Sequence, residues 1–441
     1  MAEVQPFKGL RFNAAKAGKL ADIITPPFDV ISESDQSLFY ERSPYNMVRL
    51  IRGKTTAYDT RGSNPHSRAS DYLKQWIQQG VLQQDPEEAF YLTTLEFPFG
   101  DSQFTRYGLI GRVELKDFSE GVVLPHEKTF TNVKAERLGL VNACRANFSP
   151  IFSLFDDPAD IVGDWAELAG SRKHLVKTTD HNGWRHRLWQ ITDKDLIART
   201  TRYFKDRKLY IADGHHRYET ALNYRNSLGA ELPRNHPATF TMMYMCSMRD
   251  SGLIILPAHR LLKEVARPLL DGFVERAREF FDVKTLPYAE DRRDSALTEL
   301  ISILHASPAD GCIGAFMKRS RQFIILKLKH GGIMKQMFSD ELPEAIGRLD
   351  VTVLTRLIFM ELLGFDQNRL DNEKLIGYTT APKEAVDAVV RGEYDITFIL
   401  NPPSLRQVCD VADRGLVMPR KATYFFPKVI TGLVMNLLYE R

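Results

Sequence analysis

Lys208-Leu209-Tyr210-Ile211-Ala212-Asp213-Gly214-His215-His216-Arg217-Tyr218 is the stretch whose reading decides the fold. Lys208 to Ala212 reads as an apolar strand, and a helix follows from Arg217 to about Leu228 with Tyr218, Ala221, Leu222 and Leu228 facing inward. A strand that runs through Asp-Gly straight into a helix leaves the first helical amides open at the positive end of the macrodipole. Such a place binds anions. Gly214 can adopt backbone conformations closed to other residues and lets a ligand approach closely, while His215, His216 and Arg217 add side-chain donors. Asp213 beside a phosphate then needs separate work, either accepting the proton of an attacking hydroxyl or holding Mg²⁺. The plainer alternative is that Asp213 caps the helix and the histidines are surface donors.

Outward from this turn, the chain alternates element types. A helix is predicted over Asp71 to Gln79, a hairpin from Phe90–Phe97 and Gln103–Leu115 turning at Gly100-Asp101, and a helix from Glu136 to Asn147. Strands are predicted at Ile151–Phe155 and Trp189–Ile191. Beyond Leu256-Pro257-Ala258-His259-Arg260, a helix from Pro268 to Phe281 and strands at Ile313–Met317, Gln322–Leu328 and Asp395–Leu400 suggest a second domain. A helix opened by Pro427 and running Val429 to Leu438 is expected at the end. With 441 residues the chain exceeds what one core ordinarily supports. The expected domains are 1–265 and 266–441.

Composition narrows the function classes. There are 59 basic and 56 acidic residues, a net charge of +3, so no overall field calls for nucleic acid or a membrane surface. The hydrophobic fraction of 44% is that of an ordinary globular protein, and the first residues carry no basic-then-apolar leader, so cytoplasm is the expectation. The four cysteines, Cys144, Cys246, Cys312 and Cys409, contain no C-x-x-C pair and argue against a disulfide framework or a sulfur-bound zinc.

A second group of candidates precedes the turn: His126-Glu127-Lys128-Thr129-Phe130, then Lys134, Arg137, Arg145, Asn147 and Ser149-Pro150. Arginine forks suit phosphate and carboxylate alike. His126-Glu127 begins like a zincin motif, but position 130 is Phe where a second histidine is required, so that chemistry is rejected. A metal site gathering His126, Glu127, His215 and His216 in space has no support from spacing. Near the end, Lys421 and Lys428 flank Ala422-Thr423-Tyr424-Phe425-Phe426-Pro427 and are candidate anion contacts.

Taken together, Pro27-Phe28-Asp29-Val30-Ile31, His126-Glu127-Lys128-Thr129, Arg145 to Phe152, Asp213 to Glu219, Leu256 to Arg260 and Lys421 to Lys428 resemble the bacterial and archaeal domain-of-unknown-function family 1015. The box Asp213-Gly214-His215-His216-Arg217 is similar to the phosphate-binding box of the ParB and sulfiredoxin superfamily, and to that of the free-serine kinases within it. The resemblance implies an α+β protein with a ParB/sulfiredoxin-like mixed core in the first domain and a second α/β domain. It also implies a catalytic role for Asp213 and phosphate holding by Gly214, His215, His216 and Arg217, with serine or phosphoserine as a substrate. The expected activity is that of a phosphotransferase or phosphatase for a small hydroxyl metabolite, with Mg²⁺ and ATP or ADP. Its candidate catalytic residues are Asp213, His126 and Glu127. A ParB-like nucleotide-dependent DNA-binding module and a metal-dependent hydrolase are the alternatives; the balanced charge and the lack of a helix-turn-helix segment speak against nucleic acid.

Overall fold

A computed structural model of the chain describes residues 2–129, 131–229, 232–307, 311–318, 320–330, 332–372 and 374–439; Phe130 lies outside them. The fold is α+β and divides into two compact units, one of Met1–Ile254 with Pro427–Arg441 and one of Ile255–Phe426. This differs from the expected division at 265 in two ways. His259–Leu262 is a strand of the second unit, bonded to Ile376–Thr379 and Ile396–Ile399. The last stretch of chain packs with the first unit, because its backbone pairs there: Thr431 with Thr25, Met435 with Leu10 and Asn436 with Asn147.

The first unit is built on a nine-stranded mixed sheet. Its order is Val123–Leu124, Leu209–Asp213, Ile151–Phe155, Phe240–Ser247, Ser102–Glu114, Phe90–Phe99, Arg185–Ile191, Val176–Thr179, with Val4–Gln5 alongside Ser102–Glu114. The hairpin turns at Gly100, whose φ of 56° is left-handed. One core on this sheet gathers Trp165, Phe155, Phe204, Leu209, Ile211 and Tyr218, so the strand and the helix flanking Asp213 are both anchored in it. That anchoring is what gives the turn between them a fixed geometry.

Three predicted helices differ from those observed. The basic helix spans Thr131–Cys144 and stops before Arg145, whose φ of 50° ends it; Ala146–Asn147 then form a short strand. The helix expected over Pro268 to Phe281 is two pieces, Arg267–Asp271 and Phe273–Ala277, broken at Gly272. No helix forms over 429–438: the run pairs as extended backbone, and Gly432 sits at φ 107° where a Cβ would meet Met47 Cγ at 2.7 Å. This run is largely apolar but interrupted by Thr431, Gly432 and Asn436, and without a helical period it does not separate helix from extended backbone.

In the second unit six antiparallel strands form one sheet, in the order Phe281–Pro287, Gln322–Leu328, Cys312–Met317, Ile396–Ile399, His259–Leu262, Ile376–Thr379. Along Gln322–Leu328, Ile324 and Leu326 enter one core while Phe323 and Ile325 enter another. Burial on both faces is why this strand is apolar without alternation. Among the described residues no helix is long and apolar enough to cross a membrane.

Candidate active site

The strand Leu209–Asp213 pairs in parallel with Val123–Leu124 and antiparallel with Ile151–Phe155, and its register slips between Ile211 and Asp213. Such an irregularity re-aims the side chain that follows it. Gly214 then takes φ 97°, ψ 28°, and the helix His215–Ser227 starts at the next residue. A Cβ at Gly214 would lie 2.9 Å from the Arg217 guanidinium. Glycine is thus needed both for the backbone turn and for the place Arg217 occupies.

Arg217 uses that place to reach Asp213. Its Nη2 donates to Asp213 Oδ2 at 2.5 Å, and its Nη1 donates to the Pro150 carbonyl. Lys428 Nζ donates to the other oxygen, Oδ1. Asp213 is buried, and burial opposes its ionisation, but the charges of Lys428 and Arg217 outweigh it and hold the carboxyl below its ordinary range. Asp213 is therefore an ionised group with both oxygens occupied by cations.

Asp29 is a second carboxylate within reach of this charge group. Desolvation and then the charge of Asp213 raise its carboxyl, against Lys428 and Arg217, which lower it. The residue as a whole is exposed, while the groups packed around it desolvate its carboxyl. It belongs to the short 3-10 turn Phe28–Val30, which follows Pro26-Pro27.

The histidines are neutral here. The His126 backbone N–H donates to His215 Nε2 at 3.3 Å, which places the His215 proton on Nδ1, 3.8 Å from Glu127 Oε2. The two rings meet edge to face at 4.6 Å. Burial lowers His126 to about 4, despite a hydrogen bond with the Ile211 backbone, and drives His215 well below its ordinary value. His216 is lowered by burial as well, with Glu219 opposing. Among the described residues no three His, Cys, Asp or Glu side chains gather as a metal site, so the four-residue hydrolase centre has no geometric support.

The remaining candidates are distributed. Lys134 Nζ lies 2.5 Å from Glu219 Oε2, whose other oxygen accepts from Thr129 Oγ1 at 2.7 Å, so this lysine joins the helix behind the turn. Arg137 is buried, paired with Glu136, bonded to the Ile51 carbonyl at 2.8 Å and stacked 4.0 Å over the Phe28 ring. Asn147 Oδ1 accepts from Met242 N at 3.1 Å and Asn436 Nδ2 at 3.0 Å, and Ser149 Oγ meets Thr431 Oγ1 at 2.7 Å. Arg137, Asn147, Ser149 and Arg217 line one cavity. Arg145 is exposed and lies 4.9 Å over the Tyr439 ring. Lys421 belongs to the second unit, where its ammonium lies 4.4 Å over Tyr378. Asp29 and Glu219 are site residues that the sequence reasoning missed. Pro26-Pro27 just ahead of Asp29 favours an extended, turn-rich loop, which is the signal that could have found it.

A family model described as "Protein of unknown function (DUF1015)" matches residues 4–352. No curated protein matches the chain. Solved structures similar to it include a free serine kinase mutant in complex with AMP, 14% identical over 74% of this chain and 92% of that one, with a TM-score of 0.36. Another is a conserved hypothetical protein from Pyrococcus furiosus, 14% identical over 75% and 95%, TM-score 0.34. A third is SbnI with a C-terminal truncation from Staphylococcus aureus, 11% identical over 74% and 87%, TM-score 0.32.

Proposed function

This chain belongs to the DUF1015 family of proteins of unknown function, and we propose that it moves a phosphoryl group between a nucleotide and a small hydroxyl compound at the Asp213–Arg217 turn. One observation carries the reading. Asp213 is ionised with a cation on each oxygen, at a left-handed glycine turn that opens a helix, and Asp29 stands by as an accessible carboxylate with a raised pKa.

The labour divides accordingly. The amides at the start of His215–Ser227 hold phosphate oxygens, and Arg217 and Lys428, fixed side by side by Asp213, offset the charge that develops on them. Phosphoryl transfer asks little more of a protein than such positioning. Asp213 is a poor proton acceptor because both its oxygens are engaged and its pKa is lowered. Asp29 is the better one: the attacking hydroxyl gives its proton to the Asp29 carboxylate as its oxygen bonds to phosphorus and the nucleotide's phosphate oxygen leaves. His126 and Glu127 act through His215, holding its ring and tautomer. Mg²⁺, when bound with the nucleotide, would spread charge over the phosphates, and Asp29 would be the residue of this site to hold it.

Purified protein supplied with Mg²⁺ should transfer phosphate from ATP or ADP to a small alcohol, serine being the acceptor that the sequence resemblance brings forward, or release it from phosphoserine. Phosphoserine and nucleotide products separated by ion exchange check this. No turnover, together with no ADP affinity at millimolar concentration, defeats the reading.

A further inference from the structure

Arg106 lies inside the first unit at 1% exposure. Among the described residues no carboxylate pairs with it. Asp250 feels its charge, but the Asp250 oxygens accept from the amides of Tyr107 at 2.9 Å and Gly252 at 2.8 Å. The guanidinium is held by neutral groups instead. Its Nη1 donates to the Pro427 carbonyl at 2.7 Å and its Nε to the Tyr244 hydroxyl at 3.2 Å, and it lies 4.8 Å over the Phe152 ring and 5.5 Å over that of Tyr244. A buried cation persists only where donors and rings of this kind fix it in one geometry.

These groups form a row that ends at the candidate site. Ser102–Glu114, Phe240–Ser247, Ile151–Phe155 and Leu209–Asp213 are successive neighbours in the sheet. Tyr244 is in register with Phe152, and Phe152 with Asp213. The Tyr244 and Phe152 rings meet edge to face at 5.2 Å, and Gly108 leaves the space for the Tyr244 ring, since a Cβ there would lie 1.9 Å from it. Arg106 adds to this row a bond to the backbone of the residue just before Lys428, whose Nζ donates to Asp213 Oδ1. Lys428 thus stands between two fixed points of the returning chain: the Pro427 carbonyl on Arg106, and Thr431, whose N–H donates to the Thr25 carbonyl at 2.8 Å.

We infer that Arg106 is a positioning residue of the site: through the Pro427 carbonyl it sets where the Lys428 ammonium falls, and so keeps the second cation on Asp213. It acts through Lys428 and meets no phosphate itself. Its consequence for phosphate binding rests on the phosphoryl-transfer reading above; its hold on Lys428 does not.

The test uses the full chain and the acetylation rate of each lysine with N-hydroxysuccinimidyl acetate, read by mass spectrometry. Arg106→Met removes the buried charge together with its donors and leaves no cation unpaired. Tyr244→Phe is the milder variant, taking away only the acceptor of Nε, and it decides alone if Arg106→Met does not fold by circular dichroism. Lys428, ion-paired and 13% exposed, should react slowly in the wild type. Its rate should rise about tenfold in Arg106→Met and about threefold in Tyr244→Phe, with exposed Lys177 unchanged. Hydrogen exchange at the Thr431 and Met435 amides, which bond Thr25 and Leu10, should stay at its wild-type value, because the change is confined to the stretch ahead of them. An unchanged Lys428 rate, or a loss of protection at Thr431 and Met435 as large as the gain at Lys428, would overturn the inference, the second outcome making Arg106 a general staple of the returning chain. ADP titration of the same samples separates the two ideas. A faster Lys428 in a protein that binds no ADP leaves the positioning role standing and removes the phosphate reading; ADP bound by the wild type with Lys428 unmoved in the variants does the reverse.

Discussion

Two arginines, one in each unit, both come from motif segments and are held in opposite ways. Arg217 of the first unit meets a carboxylate that it shares with Lys428. Arg260 of the second unit is buried and meets only carbonyls: Ala258, Arg420 at 3.1 Å and Lys421 at 2.9 Å, with its guanidinium 4.6 Å over the Tyr378 ring. Burial lowers Arg260 to about 10, with Tyr378 opposing. A cation satisfied by backbone is a staple, and its charge has no second task. A cation that shares a carboxylate with another at a helix start is only partly neutralised by it, which suits an incoming anion. The lesson is that the partner, and not the residue type, separates a structural arginine from a site arginine.

The comparison is broken most severely at Asp29. Asp29→Asn should lower kcat by about 10²–10⁴ while ADP affinity, measured by calorimetry without Mg²⁺, changes little, because a proton acceptor is lost and no direct phosphate contact is. The wild-type rate should also rise with pH through a pKa above the ordinary aspartate value, the direction in which Asp29 is displaced, and this limb should vanish in the variant.

At the staple, Arg260→Gln orphans backbone carbonyls and should cost about 3 kcal/mol in denaturant unfolding, with ADP affinity of the folded protein within about threefold of wild type. A loss of affinity as large as that from Arg217→Gln would erase the distinction between the two arginines. Gly214→Ala sharpens it from the other side. A strained φ of 97° and the collision with Arg217 should cost about 2 kcal/mol of stability and at least tenfold in ADP affinity together.

Buried neutral histidine makes the same region acid-sensitive. His126 titrates near 4 when folded against 6.5 ordinarily, so the unfolded chain takes up the proton first as pH falls. Stability is full above about pH 6.5 and is lost downward toward pH 4, by about 2 kcal/mol at pH 5. Asp213, also displaced downward, stabilises through its charged form and loses that contribution only as pH falls below the ordinary aspartate value. Urea melts of wild type and His126→Gln at about pH 7 and pH 5 check this; the variant should show the smaller difference. Smallest of all, Arg145→Ala should cost about 0.5 kcal/mol through the Tyr439 stack and leave ADP binding unchanged.

What was legible in the sequence was local. The strand, the glycine turn and the helix at Asp213 follow from apolar period and backbone chemistry confined to a few neighbours. Lys428 was read as an anion contact, yet its partner lies 215 positions away, and no period carries such a pairing. The same limit hid the C-terminal return: Val429 to Leu438 has apolar content suited to a helix, and only Thr25, Leu10 and Asn147 opposite it make it extended. Arg145 and Lys421 looked equal to Arg217 as cations because charge is visible in sequence and the ring beneath each guanidinium or ammonium is not. Asp29 escaped because a single carboxylate in a proline-rich loop acquires meaning only from the second carboxylate beside it.

The central claim is that the start of the helix His215–Ser227 holds phosphate under the Asp213 pair of cations. A crystal structure of the chain grown with ADP and Mg²⁺ tests it most directly. Phosphate oxygens on the amides of His215 to Arg217, with Asp29 facing the terminal phosphate, is the predicted result; ADP bound elsewhere on the molecule, with this turn contacting only solvent, would contradict it.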